Sequence, residues 1–147
     1  MKNADPHNVS TIADCRIIGL DVYPDVNGKL AVIENGDNLP FDIKRCFFLY
    51  DVPSGAERGG HSHFEMSELI IALTGAFHVV VDDGIERKEF LLNKPNEGLL
   101  VPPGLWRELN GFTSGAVCLA LASTNFSEED YVREYDHFLQ LTASKRR

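Results

Sequence analysis

Hydrophobic and polar positions along this chain form short runs rich in β-branched, leucine and aromatic residues, separated by turn residues. The runs cover residues 15–23, 29–34, 44–52, 67–73, 77–83, 87–92, 98–102, 106–112 and 116–123. About nine strands at a spacing of roughly 8–12 residues, with no helix between them, predict an antiparallel all-β sandwich or barrel. Residues 77–92 form the clearest hairpin, with Gly84 in the turn.

The last segment of the chain is the one with helical periodicity. Ser127 is a suitable N-cap residue, and acidic residues follow at 128–130, where the helix dipole favours them. The apolar residues after them recur at helical spacing: Val132, Tyr135, Phe138 and Leu139. We therefore predict one C-terminal α-helix over residues 127–141 that docks on the β-fold. Residues 1–14 are polar, and we expect them to be flexible.

The chain has 147 residues, so we expect a single domain over residues 1–147. It has no signal-peptide core and no apolar run near the ~20 residues of a membrane span, which indicates a cytoplasmic protein with no membrane partner. The net charge of −8 argues against nucleic-acid binding. A phosphorylated ligand stays possible, because a few arginines can hold a pyrophosphate. We interpret Cys15, Cys46 and Cys118 as buried, reduced thiols.

The informative segment runs from Gly55 to Gly75. It contains His61, His63 and Glu68 at the spacing G-x5-H-x-H-x4-E-x6-G, which matches the first cupin motif at every defined position. Two histidines at i and i+2 on a strand point to the same face, so both imidazoles are expected inside the fold. The predicted fold is thus an all-β cupin, an RmlC-like jelly-roll β-barrel with one C-terminal α-helix.

The second cupin motif is only partly present. Pro102, Pro103 and Gly104 supply its P-x-G portion, but Arg107 stands where a metal-binding cupin has its third histidine. A guanidinium keeps its proton and repels a divalent cation. We therefore expect no metal and no other cofactor. If a metal binds, the candidate ligands are His61, His63 and Glu68, a set of two histidines and one carboxylate.

Short motifs in order along the chain identify a family that it resembles. They are residues 40–45, 58–63, 82–84, 92–95 with 98–99, 106–108 and 130–133 with Tyr135. The chain is similar to the dTDP-4-keto-6-deoxyhexose 3,4-ketoisomerases, WxcM-like cupins that form the 3-keto isomer for bacterial surface polysaccharides such as O-antigen. The resemblance implies a metal-free isomerase that acts on a dTDP-linked 4-keto-6-deoxyhexose. It also implies a homodimer that exchanges N-terminal strands.

The same resemblance implies the site residues. His61 and His63 would be the catalytic pair, with His63 favoured as the base. Substrate-binding residues would be Arg45 and Arg58 near the nucleotide sugar, Trp106 and Arg107 at the pocket mouth, and in addition Phe48 and Glu68. A neutral imidazole suits the chemistry, since it can take the proton from C3 next to the 4-keto group and return it to C4 through an enediol.

Three features depart from the family pattern. Phe47 and Phe48 stand where tyrosines are usual, Phe64 replaces a basic residue, and Glu68 replaces a glutamine. Strand alternation predicts that one of Phe47 and Phe48 faces the pocket. Two alternative functions stay open at this point: a metal-dependent cupin enzyme that uses His61, His63 and Glu68, and a non-catalytic cupin that binds a sugar nucleotide.

Overall fold

The computed structural model describes residues 10–146. Nearly all of its regular structure is antiparallel β-sheet, followed by one α-helix. The elements are β1 (Arg16–Gly19), β2 (Asp21–Asp25), β3 (Gly28–Val32), β4 (Arg45–Leu49), β5 (Arg58–His63), β6 (Glu68–Thr74), β7 (Phe77–Asp82), β8 (Arg87–Leu92), β9 (Glu97–Val101), β10 (Trp106–Asn110), β11 (Val117–Ala122), β12 (Tyr131–Val132) and α1 (Tyr135–Lys145).

Two five-stranded sheets make up the body of the fold. The first has the strand order β1-β9-β6-β11-β4, and the second has the order β12-β5-β10-β7-β8. Strands β2 and β3 pair only with each other among the described residues. The prediction of an all-β jelly roll with a C-terminal helix is confirmed. Within residues 10–146 the two sheets are hydrogen-bonded separately, so packing between them, and not a continuous ladder, closes the structure.

The main core lies between the two sheets. Ile70 and Leu99 from the first sheet pack in one cluster with Val79 and Val81 from the second, and all four are at most 1% exposed. Strand β7 shows the alternation that produces this core, because its odd-numbered residues are buried and the even-numbered His78 and Val80 are half-buried. The predicted hairpin at residues 77–92 is present, with β7 and β8 in register from Phe77↔Leu92 to Asp82↔Arg87.

A second apolar cluster covers the outer face of the first sheet. Leu39, in the segment between β3 and β4, packs there with Leu69, Ile71 and Leu121. This segment therefore buries a sheet face that would otherwise be exposed to water. The inner face of the same sheet stays free to form one wall of a site.

The C-terminal helix begins eight residues later than the sequence predicted. Residues Glu128–Asp130 form a single 3-10 turn, Tyr131–Val132 form β12, and α1 spans Tyr135–Lys145. The prediction of a helix over 127–141 is wrong in its first turns because β5 offers a free edge. Tyr131 and Val132 pair there with His63 and Ser62.

The docking surface of the helix agrees with its predicted apolar stripe. Phe138 is 2% exposed and packs in a cluster with Val132 and Trp106. Tyr135 donates a hydrogen bond of 2.6 Å from its hydroxyl to Asp82 Oδ2, which ties α1 to the end of β7. These contacts hold the strand β12 against β5, where it borders the histidine pair.

Part of the N-terminal segment predicted to be flexible, residues 1–9, lies outside the described residues. Ile12–Asp14 form a 3-10 turn in which the backbone N–H of Thr11 donates to Asp14 Oδ2 over 2.7 Å. Within residues 10–146 no helix has the length and apolar character needed to cross a membrane.

Candidate active site

A cavity of about 230 Å³ opens between the two sheets. Its wall contains Phe47, Glu68 and Ala120 from the first sheet, and His61 and Arg107 from the second. Each of these residues lies on the inward-facing side of its strand. The cupin-motif residues His61 and Glu68 are therefore brought to one site, as the sequence predicted.

One wall of the cavity is formed by two paired strands, β5 and β10. His61 on β5 and Arg107 on β10 are register partners. The register of this pairing shifts between Arg107 and Leu109, as at a β-bulge. Residues opposite each other in an antiparallel pair place their side chains on the same face, so the imidazole and the guanidinium lie side by side.

Arg107 reaches across to the opposite sheet. Its Nη1 lies 3.4 Å from Glu68 Oε1, and its Nη2 donates to the carbonyl oxygen of Leu105 over 3.2 Å. Arg107 is 1% exposed and Glu68 is 5% exposed, so this is a buried ion pair. Burial raises the pKa of Glu68, against the opposing effect of Arg107 and then Arg45. Arg107 keeps its charge because a guanidinium is too strong a base to lose its proton in a protein.

His63 lies behind His61 and outside the cavity wall. It is 1% exposed, and its Nδ1 is 3.0 Å from Asp130 Oδ2. Its ring centroid lies 4.7 Å from that of His61 and 4.4 Å from that of Tyr131, both in edge-to-face contact. The second oxygen of Asp130 accepts the backbone N–H of Glu65 over 2.7 Å. Asp130 therefore fixes the orientation of the inner histidine.

Both imidazoles are held in the neutral form. Burial, followed by the charges of Arg107 and Arg133, lowers the pKa of His61 to about 3. Burial and then Arg107 also lower the pKa of His63 to about 2. The carboxylate of Asp130 favours a protonated ring, but desolvation and the surrounding cations outweigh it. Near neutral pH each ring is therefore uncharged, with one of its two nitrogens free of a proton.

The rim of the cavity is cationic. Arg58 and Arg133 both border the opening. Arg133 is held by Glu128 through hydrogen bonds of 2.5 and 2.9 Å, and its guanidinium lies 4.2 Å from the centroid of the Tyr131 ring. Exposed arginines at the edge of a cavity are suited to bind an anion such as a diphosphate.

Arg45 lies next to the wall residue Phe47. Its guanidinium carbon is 5.3 Å from the Phe47 ring centroid and 5.5 Å from that of Phe126. Its Nη2 lies 3.0 Å from Met66 Sδ, and its Nε is buried without a hydrogen-bond partner among the described residues. Arg45 thus remains near the site, on the same face of β4 as Phe47.

Two residues predicted to bind substrate lie away from the cavity. Trp106 packs on α1, with ring centroids 5.3 Å from Tyr135 and 5.7 Å from Phe138, and its indole N–H donates to Glu108 Oε1 over 3.1 Å. Phe48 is 58% exposed on the outer face of β4. The cause is strand alternation: Arg107 and Phe47 point inward, so their neighbours Trp106 and Phe48 point outward.

Three residues at the site were absent from the predicted set: Asp130, Tyr131 and Arg133. Helical periodicity predicted that these residues form the first turns of a helix, away from the histidines. The sequence did contain a signal for them, because residues 130–133 form one of the motifs that the chain shares with the family it resembles.

One candidate metal ligand is already paired, and another is engaged at one ring nitrogen. Glu68 pairs with Arg107, and His63 contacts Asp130 through Nδ1, while its Nε2 is buried without a hydrogen-bond partner among the described residues. Among the described residues, no group of three His, Cys, Asp or Glu side chains is arranged to hold a metal ion. The donor set His61, His63 and Glu68 therefore does not fit a metal in this arrangement, because a buried guanidinium lies beside it.

The fold and this cavity define a cupin whose histidine pair lies beside a buried arginine. Residues 13–143 match the model of the FdtA family, described as WxcM-like, C-terminal, and the chain belongs to that family. It is 36% identical over 128 residues to TDP-4-oxo-6-deoxy-alpha-D-glucose-3,4-oxoisomerase of Aneurinibacillus thermoaerophilus, which covers 87% of this chain and 92% of that protein.

The chain is also similar to solved structures of 3,4-ketoisomerases. A 3,4-ketoisomerase from Helicobacter canadensis is 38% identical with a TM-score of 0.86, and the match covers 88% of this chain and 98% of that one. A histidine-to-asparagine mutant of the 3,4-ketoisomerase QdtA from Thermoanaerobacterium thermosaccharolyticum, in complex with TDP-4-keto-6-deoxyglucose, is 34% identical with a TM-score of 0.88, covering 91% and 97%. The predictions of the family and of the isomerase class are confirmed.

Proposed function

We propose that this chain converts a TDP-linked 4-keto-6-deoxyhexose to its 3-keto isomer, with His61 moving the proton between C3 and C4. The observation that carries the proposal is the place of His61, which lines the cavity beside the buried cation Arg107. The substrate class is supported by the relatives, one named as a TDP-4-oxo-6-deoxyglucose isomerase and one solved with TDP-4-keto-6-deoxyglucose.

The lowered pKa of His61 keeps its ring uncharged across the physiological pH range. One ring nitrogen therefore has a free lone pair at the start of the reaction, which can be directed at the C3 proton that the neighbouring carbonyl acidifies. A positioned acid–base group contributes about 10²–10⁴-fold to a rate. The family resemblance favoured His63 as the base. Because His63 is buried behind His61, we propose His61 as the base instead. His63, held by Asp130, would fix the orientation of the His61 ring.

Arg107 supplies the charge that the intermediate requires. Removal of the C3 proton places negative charge on the carbonyl oxygen, and a fixed cation in a site of low dielectric stabilises that charge strongly. The guanidinium of Arg107 is 1% exposed and borders the cavity, so it needs little reorganisation to do this.

The nucleotide part of the substrate is proposed to lie outside the cavity. A volume of about 230 Å³ is below the roughly 300–1,000 Å³ of pockets that enclose a drug-sized ligand. The hexose ring would occupy the cavity, and the diphosphate would contact Arg58 and Arg133 at the rim. Arg45 lies near the cavity on β4 and is a further candidate for a contact with the nucleotide part of the substrate.

A homodimer with exchanged N-terminal strands remains the proposed assembly. The β2–β3 hairpin exposes the cross-strand pair Tyr23 and Leu30, which are 61% and 62% exposed. A two-stranded hairpin is marginally stable by itself in water. Phe48 on β4, an edge strand of the first sheet, is 58% exposed. Tyr50, the residue that follows this strand, is 63% exposed. A partner's hairpin would cover these surfaces.

A cytoplasmic location is proposed from the cysteines. Cys15, Cys46 and Cys118 are free thiols. Cys15 and Cys118 are buried as predicted, but Cys46 is exposed, so the prediction of burial is wrong for that residue. Free thiols are typical of proteins that work in a reducing compartment.

A proton NMR time course with TDP-4-keto-6-deoxyglucose in D₂O, with and without EDTA, tests the proposed reaction. The expected result is a 3-keto product with deuterium at C4, formed at the same rate in EDTA, because the histidine proton exchanges with solvent. Turnover that stops in EDTA would assign the reaction to a metal-dependent enzyme. Binding without product and without deuterium at C3 would overturn the proposal in favour of a non-catalytic sugar-nucleotide binder.

A further inference from the structure

The cavity has cationic side chains at both of its ends. Arg58 and Arg133 are exposed at the opening, whereas Arg107 is buried at the inner end beside His61. The substrate of the proposed function has an anionic part, the diphosphate, and an uncharged part, the hexose. Reaction at C3 and C4 requires the hexose at the inner end. A phosphate group bound to Arg107 would take the place of the hexose and block the reaction.

Arg107 has the properties of a phosphate-binding residue. It is 1% exposed, its Nη1 and Nη2 have one contact each, at 3.4 and 3.2 Å, and its Nε has no hydrogen-bond partner among the described residues. The planar guanidinium presents its N–H groups in a fork that fits phosphate oxygens. Inorganic phosphate is smaller than a hexose ring, so size alone does not keep it out of the cavity.

Glu68 provides a negative charge at the inner end. In the described part of the chain it is the one carboxyl group that lines this cavity, it is 5% exposed, and its Oε1 lies 3.4 Å from Arg107 Nη1. A guanidinium at this distance favours the charged form of the carboxyl and keeps its own proton, so the two charges cancel. At the rim, by contrast, Arg133 and its partner Glu128 are 51% and 62% exposed, and solvent screens that carboxylate.

We propose that Glu68 excludes phosphate groups from the inner end of the cavity and so keeps Arg107 available to the hexose. The inference rests on the proposed function and deepens it, because it names a residue that discriminates between an uncharged sugar and a free anion. A phosphate in contact with Arg107 would bring its negative charge close to a buried carboxylate. Repulsion between like charges is strong at this range in a site of low dielectric.

The carboxylate of Glu68 does not oppose the isomerisation in the same way. The enolate forms together with the imidazolium of His61, so proton transfer leaves the total charge inside the cavity unchanged. A phosphate group brings negative charge without a cation. The reaction itself does not depend on Glu68, since the ketoisomerases that this chain resembles usually have glutamine at this position. An amide does not cancel the charge of Arg107, so the expected consequence of the glutamate is weaker inhibition by anions.

The test measures the binding of inorganic phosphate to wild type, Glu68→Gln and Glu89→Gln by isothermal titration calorimetry at constant ionic strength. In Glu68→Gln the Kd for phosphate is expected to fall about 10–100-fold, because the buried repulsion is removed. Phosphate should then also compete more strongly with TDP-4-keto-6-deoxyglucose in steady-state kinetics. Glu89→Gln makes the same change in net charge at a side chain that is 57% exposed on β8, and it should bind phosphate as wild type does.

A double variant locates the bound phosphate. In Arg107→Met/Glu68→Gln the gain in affinity should be lost, because Arg107 is the proposed ligand of the anion. A gain that persists there would place the phosphate at the rim and overturn the proposal, as would equal Kd values for wild type and Glu68→Gln. The titration requires no turnover, so a wild type that does not isomerise the sugar nucleotide contradicts the proposed function separately. If Glu68→Gln does not fold, Glu68→Met takes its place with the same expected result.

Discussion

His61 and Arg107 are register partners on β5 and β10, so an imidazole lies beside a buried guanidinium. The positive charge of Arg107 acts with burial to lower the pKa of His61 to about 3. The same charge is available to stabilise an oxyanion formed when His61 takes a proton. The pairing of these two strands therefore provides both a neutral base and the cation that stabilises the oxyanion formed by proton removal.

Replacing His61 should remove the reaction and keep the fold. In His61→Asn we expect kcat to fall at least about 100-fold, because the proposed proton carrier is lost. Deuterium exchange at C3 should be lost with it, as measured by NMR in D₂O. His137→Asn, which changes an exposed histidine on α1, is the matched control and should behave as wild type. Exchange at C3 that persists in His61→Asn would point to His63 as the base.

Removing only one member of the buried ion pair between Arg107 and Glu68 should destabilise the folded protein. Arg107→Met leaves the Glu68 carboxyl buried without its cation, and we expect the free energy of unfolding to fall by about 3–5 kcal/mol. Arg107→Met/Glu68→Gln should recover part of this loss, since no uncompensated charge remains. Urea unfolding of the two variants measures the difference. Equal stability of the single and double variants would show that the ion pair is not the source of the cost.

Much of the fold could be predicted from local sequence. Turn residues and alternating apolar positions identified most strands, including the hairpin at residues 77–92, because both signals act over a few residues. The spacing of His61 and His63 placed them on one strand face for the same reason. Alternation also predicted that one of Phe47 and Phe48 faces the cavity, and Phe47 does.

The missed features depend on contacts between distant parts of the chain. Asp130 contacts His63 across 67 positions, and β12 forms because β5 has a free edge. Helical spacing of apolar residues after Ser127 could not reveal that pairing. The outward direction of Trp106 has a similar origin, since local sequence gives the alternation along β10 but not which side faces the opposite sheet.

The position of Trp106 gives a prediction that separates packing from substrate binding. Trp106→Phe should lower the free energy of unfolding by roughly 1–3 kcal/mol, because the indole packs on Tyr135 and Phe138. KM should stay unchanged. Phe47→Ala, which alters the cavity wall, should raise KM instead. Urea unfolding and steady-state kinetics of both variants test this, and a raised KM in Trp106→Phe would return Trp106 to the substrate site.

The exposed hairpin gives a prediction about assembly. Leu30→Lys places a charge on the apolar face that Leu30 shares with Tyr23, so we expect it to convert the proposed dimer to monomer. Sedimentation velocity measures the change. Ile85→Lys is the control, since Ile85 is 73% exposed in the turn between β7 and β8. The exchange proposal fails if wild type is already a monomer, or if both variants remain dimers.

The lowered pKa of His61 predicts that the fold loses stability in mild acid. An unfolded histidine has a pKa of ~6.5, whereas His61 in the folded chain has a pKa of about 3. Between these values the unfolded chain binds a proton that the folded chain does not. The free energy of unfolding therefore falls as pH decreases below ~6.5, by up to about 1.4 kcal/mol per pH unit for one histidine.

Urea unfolding of wild type and His61→Asn between pH ~7 and ~4.5 isolates this contribution, because the other titrating groups are common to both proteins. The difference in stability between wild type and His61→Asn should shift steadily against wild type as the pH is lowered. His137→Asn, which replaces an exposed histidine on α1, is the matched control. Parallel curves for wild type and His61→Asn would mean that His61 has the same pKa in the folded and unfolded chains, which would contradict the lowering of its pKa by burial and by Arg107.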